Sequence, residues 1–221
     1  MMIITIDGPA GVGKTTISRT VAEKTNLPYL DSGAMFRCLA LLLGDGAWNW
    51  SEDRLDQTIA GYRFTLTGTG AQSSLLVNNS PLPEAIRSEQ AGVRASHLGK
   101  LPVIRKRLKH LQREIGNNDG LVAEGRDMGT VVFPDADAKF FLDADPEERA
   151  RRRWLQLKAM SLDAHFDALL KDMKQRDRQD QSRSTAPLVA ALDAVIISTT
   201  SLSQEAVIQA ILEALPKKNR P

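Results

Sequence analysis

Cysteine, histidine and tyrosine are scarce in this chain, with 1, 3 and 2 of them among 221 residues. The lone Cys38 excludes an internal disulfide framework and fits a reducing compartment, where it serves as a small buried apolar residue. His97, His110 and His165 lack metal-ligand spacing to one another, so all three read as structural. No Ser/His/Asp arrangement supports a hydrolase triad. No apolar run is long enough to span a membrane, and the first residues lack the basic and apolar regions of a secretion signal. A large excess of one charge is missing too: 29 Lys and Arg against 27 Asp and Glu leave a net charge of +2. That balance argues against a nucleic-acid binder, so any basic function must be local. Solenoid-period repeats and low-complexity blocks are also absent. What remains is an ordinary globular composition, 42% hydrophobic and 25% charged, long enough to bury the core of one α/β domain and expected in the cytoplasm.

The most informative stretch is the first. Ile3-Ile4-Thr5-Ile6 reads as a short buried strand, and Asp7-Gly8-Pro9-Ala10-Gly11-Val12-Gly13-Lys14-Thr15-Thr16 follows at once. Helical period then takes over, with Ile17 and Val21 on one face. Gly8, Gly13, Lys14 and Thr15 stand at the spacing of a P-loop between strand and helix. Glycines let backbone amides close around phosphate oxygens, and the new helix aims its unpaired N–H groups and positive dipole end at the same anion. Lys14 adds a point charge near the β- and γ-phosphates, while the Thr15 hydroxyl suits the Mg²⁺ shell.

Past this helix, expected to run to about residue 25, Leu27-Pro28-Tyr29-Leu30 reads as a second strand delivering Asp31-Ser32-Gly33 to its end. Helical pattern resumes over 34–43 and stops at Gly44-Asp45-Gly46, and Ser51 suits the N-cap of a helix over 52–60. Residues 62–83 differ in character. Arg63-Phe64-Thr65-Leu66-Thr67 alternates polar and apolar, Gly68-Thr69-Gly70 turns, 74–77 supplies a partner strand, and Asn78-Asn79-Ser80-Pro81 turns again: a small antiparallel insertion. Helices are predicted over 84–98 and 102–115. Leu121-Val122-Ala123-Glu124 is a third core strand ending in Gly125-Arg126-Asp127, and Lys139-Phe140-Phe141-Leu142-Asp143 is a fourth. Asp145-Pro146-Glu147-Glu148 opens a helix with a cap, a proline at its first position and a D-x-x-E capping box. A break near Ser161 leads to a helix over 166–178. Ala194-Val195-Ile196-Ile197 is the fifth strand. Ser201 with Gln204 is expected to cap a last helix with Val207, Ile211 and Leu215 on its apolar face, and residues 217–221 are expected to fray. The pattern predicts an α/β fold, a five-stranded parallel sheet with helices on both faces, in which ligands bind at the C-terminal strand ends.

Two arginine sets lie beyond the P-loop. Arg149, Arg152 and Arg153 share a helix face, with Ala150, Trp154 and Leu157 on an apolar stripe. Such a face is ordinarily solvated and balanced by neighbours such as Glu147 and Glu148. Three arginines repel one another without an anion, however, which favours a phosphate clamp. Arg176, Asp180 and Arg183 share a face if their helix persists; they form either a surface ion-pair ladder or an orienting carboxylate between two ligand-binding arginines. The Gly125-Arg126-Asp127-Met128-Gly129-Thr130 loop sits beside the P-loop crevice, which favours a ligand-facing role over a loop salt bridge. Arg37 and Arg87 are placed to reach a second anion. The twin arginine sets exceed what a nucleotide switch needs, and the guanine-reading N-K-x-D segment of a GTPase is absent. A P-loop kinase acting on a small acceptor is the stronger expectation.

Five blocks carry a more specific resemblance: 7–15, Leu30-Asp31-Ser32-Gly33-Ala34-Met35-Phe36-Arg37, 124–134 from Glu124-Gly125-Arg126-Asp127 to Val132-Phe133-Pro134, Arg176-Asp177-Arg178-Gln179-Asp180 with Arg183, and Ala186-Pro187-Leu188. They resemble the bacterial cytidylate kinases of the nucleoside monophosphate kinase superfamily, in the family's order and across most of the chain. The resemblance implies a single P-loop kinase domain: a core at 1–32, 102–153 and 171–221, an NMP-binding insertion with a small β-sheet at about 33–101, and a short helical lid at about 154–170. It implies transfer of a phosphoryl group from ATP to CMP or dCMP with Mg²⁺. Ser32 and Arg37 would contact the acceptor's phosphate or sugar, and Ser96, Arg105 and Asp127 would bind cytosine. Arg126 and Arg176 would hold the acceptor phosphate, Asp180 and Arg183 the ribose side, and Arg152 and Arg153 would close on the ATP phosphates. Small nucleotides are the only expected partners, and a monomer is the default.

The cytosine assignment also makes sense chemically. A carboxylate accepts from the N4 amino group and a guanidinium donates to N3 or O2; uracil inverts two of those groups and leaves buried polar atoms unpaired. One departure from the family pattern is Phe36, where tyrosine is usual: the ring can still pack on the nucleotide, but a hydroxyl contact is lost.

Overall fold

The computed structural model describes residues 2–118 and 120–216. The expected frayed tail at 217–221 lies outside the described residues. Strand β1 (Ile3–Asp7) runs into the P-loop and helix α1 (Lys14–Thr25), followed by β2 (Tyr29–Asp31), α2 (Ser32–Leu43) and α3 (Glu52–Ala60). An antiparallel sheet of β3 (Phe64–Thr67), β4 (Ser74–Val77) and β5 (Ser80–Pro81) comes next, then α4 (Glu89–Leu98) and α5 (Pro102–Gly116). The chain returns to the main sheet with β6 (Leu121–Gly125) and β7 (Ala138–Asp143), makes the helical pair α6 (Pro146–Ala159) and α7 (Phe166–Gln181), and closes with β8 (Val195–Ser198) and α8 (Gln204–Ala214).

The main sheet is parallel, in the order β2-β6-β1-β7-β8. β1 and β6 are buried along nearly their whole length because both sheet faces are covered. Alternation along β6 divides the core: Leu121 and Ala123 point to one side, with Leu39, Leu98, Ile104 and Leu108, while Val122 points to the other, with Ile17, Val21, Phe140 and Ile211. The first side is covered by α2, α4 and α5, the second by α1 and α8. Among the described residues no helix is long and apolar enough to cross a membrane.

The small sheet is anchored to the main one at β2. The Gly70 N–H donates to Leu27 O at 2.8 Å, and the Tyr29 N–H donates to Ser73 Oγ at 2.9 Å. The parallel sheet and the antiparallel insertion are both as the sequence predicts, and local details differ. The expected helix over 84–98 is split into a 3₁₀ turn (Glu84–Arg87) and α4, because Ser88 is extended and caps α4 through the Ala91 N–H. The last helix is capped by Ser203, not Ser201: Ser203 Oγ accepts from the Ala206 N–H, after β8 has run to Ser198. Pro146 opens α6 as expected, but the capping box does not form. Glu148 instead turns outward to Arg151 and Arg152, the stronger charge-assisted partners.

One backbone contact sets how β1 enters the loop. Gly8 has φ +147, and a Cβ there would stand 2.1 Å from Leu142 O on the neighbouring strand β7. Gly8→Ala is expected to destabilise the fold by at least about 2 kcal/mol, since both the positive φ and the close backbone approach require glycine. A urea midpoint equal to wild type would contradict this.

Candidate active site

Sheet topology brings the P-loop and the β6 strand end side by side, with β1 and β6 paired from Ile3 opposite Leu121 to Asp7 opposite Gly125. Gly11 and Gly13 adopt positive φ, and Gly13 occupies the N-cap of α1. The Lys14 ammonium is buried and donates to Gly8 O at 2.7 Å and Pro9 O at 2.6 Å. Burial first, and Arg126 next, lower its pKa well below the ordinary lysine value, with Glu124 and Asp7 opposing them. The Thr15 hydroxyl donates to Glu124 Oε1 at 2.8 Å. Glu124 Oε2 is buried without a close hydrogen bond, although the Tyr29 hydroxyl stands near the carboxylate, and burial together with Asp31 raises the carboxyl's pKa.

Asp7 ties the two strand ends together. Its carboxylate accepts from the Met128 N–H at 2.9 Å and the Gly129 N–H at 2.8 Å. This fixes the loop that follows Arg126 and Asp127 against the start of the P-loop. Burial raises the Asp7 pKa to about 6, the two amides pulling it down only in part.

On the far side, Arg105 from α5 donates to Gly99 O at 3.0 Å and to Asp127 Oδ2 at 2.5 Å. Both side chains are buried, and the Phe36 ring lies 5.5 Å from the Arg105 guanidinium. They line a cavity of about 130 Å³ together with Gln112, Val132 and Thr185. Gln112 Nε2 is buried there without a partner. Ser32 donates to Glu124 O at 2.7 Å, and Arg37 pairs with Asp31 at 2.9 Å. Ser96 is half-buried on α4, and Arg87 is exposed on the 3₁₀ turn after the small sheet.

Helix α7 reaches Gln181, so Arg176 and Asp180 do share one helix, and Arg183 follows just beyond its end. The fully buried Asp180 accepts from Arg126 Nε at 3.0 Å and from Arg183. The arrangement is neither an exposed ladder nor the expected trio: Asp180 is buried, and its hydrogen-bonded partners are Arg126 and Arg183. Burial and the neighbouring Arg126 lower the Arg176 pKa, and burial likewise lowers that of Arg183. Lys14, Arg126, Arg176 and Arg183 thus form a cationic group converging from three parts of the chain: the P-loop, the end of β6, and α7 with its C-terminal end.

The arginines of α6 are not one open face. Arg149 is buried, donating to Ala144 O at 2.9 Å, Ala10 O at 3.0 Å and Asp177 Oδ2 at 2.6 Å. Arg152 donates to Glu148 Oε1 at 2.9 Å and to Thr199 Oγ1 at 3.1 Å, and Arg153 donates to Gln156. Asp177 and Glu148 offset the charges of Arg149 and Arg152, and Arg153 meets the neutral side-chain amide of Gln156. The sequence reading assigned no role to Glu124, Asp7 or Asp177. The first two stand at C-terminal strand ends, where the ligand-binding rule could have singled them out; Asp177 gave no local signal.

Comparison with known proteins agrees with this geometry. A family model described as cytidylate kinase matches residues 4–217. A cytidylate kinase of Maridesulfovibrio salexigens is 49% identical over 216 residues, covering 98% of this chain and 97% of its own. One of Vibrio cholerae is 41% identical over 217 residues, covering 98% and 96%. A solved structure of an uncharacterized protein from Eubacterium ventriosum has a TM-score of 0.51 at 13% identity and covers 96% of each chain, a likeness of fold alone. The P-loop, the Arg105–Asp127 pair and a match along almost the entire chain converge on one assignment: this chain belongs to the cytidylate kinase family.

Proposed function

We propose that the enzyme transfers the γ-phosphoryl group of ATP to CMP or dCMP, giving ADP and CDP or dCDP, in a Mg²⁺-dependent reaction. One observation carries the reading. A buried Arg105–Asp127 pair, complementary to the cytosine edge, lines a cavity on the same strand-end loop that turns Arg126 toward the P-loop. Relatives named cytidylate kinase, matched over nearly their whole length, support it.

Residues 8–16 would cradle the ATP phosphates, with Lys14 leaving the Gly8 and Pro9 carbonyls for phosphate oxygens. Mg²⁺ supplies charge neutralisation across the phosphates. The Thr15 hydroxyl and the buried Oε2 of Glu124 fit a hard, oxygen-seeking cation, directly or through water. Arg37, Arg126 and Arg176, with Ser32 beside them, would hold the acceptor phosphate, and Arg87 would approach it from the insertion. Asp180 and Arg183 would take the ribose side. Ser96, Arg105 and Asp127 would read cytosine while Phe36 packs on the nucleotide.

The acceptor phosphate is already an anionic nucleophile, so catalysis requires in-line positioning and cations, not a general base. The α6–α7 segment at about 154–170 would act as the lid and residues 33–101 as the acceptor-binding arm, on a core of 1–32, 102–153 and 171–221. Arg152 and Arg153 would exchange their present protein partners for ATP phosphates as the lid closes and excludes water.

A coupled ADP-release assay across nucleoside monophosphates is expected to rank CMP and dCMP above UMP and AMP; faster UMP or AMP turnover would remove the cytosine assignment. Asp127→Ala is expected to lower kcat/KM for CMP roughly a hundredfold, because Arg105 is left buried without its carboxylate, while ATP affinity stays near wild type. Equal loss for both nucleotides would place Asp127 in the core or at the metal. Lys14→Ala is expected to slow turnover by about 10²–10³-fold in single-turnover kinetics.

A further inference from the structure

The outward side of the P-loop is held by side chains whose role the reaction chemistry leaves open. Arg149 donates Nη1 to Ala10 O at 3.0 Å, and the same guanidinium donates to both carboxylate oxygens of Asp177, at 3.2 and 2.6 Å. The contact is close-packed: a Cβ on Gly11 would stand 3.2 Å from Arg149 Cβ and 3.3 Å from Met173 Cε. One residue further on, Val12 O accepts from Thr199 Oγ1 at 3.3 Å.

Peptide planarity gives these contacts a consequence. In a trans peptide the C=O and the following N–H point in opposite directions, and no cis peptide occurs among the described residues. Holding the Ala10 carbonyl outward therefore turns the Gly11 N–H inward, into the space the donor phosphates occupy. An arginine buried to 2% exposure needs a counter-charge, and Asp177 supplies it while fixing the plane of the fork.

We infer that Arg149 and Asp177 are positioning residues for the donor phosphates: Arg149 sets the Ala10–Gly11 peptide from behind, and Asp177 sets Arg149. The inference rests on the P-loop being the ATP site, as proposed above. It makes helix α7 serve both substrates, since Asp177 lies in sequence between Arg176 and Asp180, which are assigned to the acceptor.

Calorimetric titration of the full chain with ATP and, separately, with CMP tests this in Asp177→Asn and Arg149→Lys, with urea unfolding alongside. Asp177→Asn is expected to weaken ATP binding about tenfold while CMP binding stays within about twofold. Arg149→Lys should shift ATP affinity at least as far, because an ammonium cannot reproduce the planar fork that reaches Ala10 O and Asp177 together. A strut that only joins α6 to α7 would lower the urea midpoint without separating the two nucleotides. Equal weakening of ATP and CMP, or unchanged ATP affinity in folded Asp177→Asn, overturns the inference; that variant decides the matter should Arg149→Lys not fold. Wild type that binds ATP but phosphorylates no monophosphate removes the proposed function and leaves this inference standing.

Discussion

Cations gathered around an anion site repel one another until the anion arrives, and much of this structure answers that constraint. Lys14, Arg126, Arg176 and Arg183 are near enough that one or more of the others lowers the pKa of Lys14, Arg176 and Arg183. Without partners, burying them would cost several kcal/mol apiece. The fold meets this by interleaving carboxylates: Asp180 between Arg126 and Arg183, Asp31 on Arg37, Asp127 on Arg105, Glu124 beside Lys14. Each carboxylate lies close enough to its cation to hold that side chain in place. The site is therefore preorganised by its own counter-charges.

Those counter-charges depend on where the sheet puts strand ends. β1 lies between β6 and β7, so Asp7 reaches the Met128 and Gly129 amides and ties the P-loop to the loop that carries Arg126 and Asp127. Gly8 permits the approach by leaving room for Leu142 O. The P-loop and the loop after β6 are consequently held together at neighbouring strand ends, while Arg149 of α6 reaches the P-loop from a helical pair packed beside it.

How much of this was legible in the sequence depended on range. The P-loop, the five parallel strands and the antiparallel insertion could be read directly, because alternation, helical period and glycine turns are local patterns whose physics acts over a few residues. Cap positions were read less well: Ser201 and Ser203 both qualify chemically, and the length of β8 decided between them. Resemblance to a family supplied expectations for Ser96 and Arg105 that spacing alone could not.

The sequence by itself determined that phosphate is handled, and by which loop, since strand, glycines, Lys14 and Thr15 are contiguous. Only the tertiary structure decided which carboxylates and carbonyls each arginine meets. Arg149 and Arg152 share one helix face, yet Arg149 meets Asp177 across 28 residues and the Ala10 carbonyl across 139, and is buried as a brace. A guanidinium in a sequence carries the same charge whichever of them it meets. Its role is set by which acceptor lies within about 3 Å, and that acceptor is supplied by distant chain that folding brings alongside.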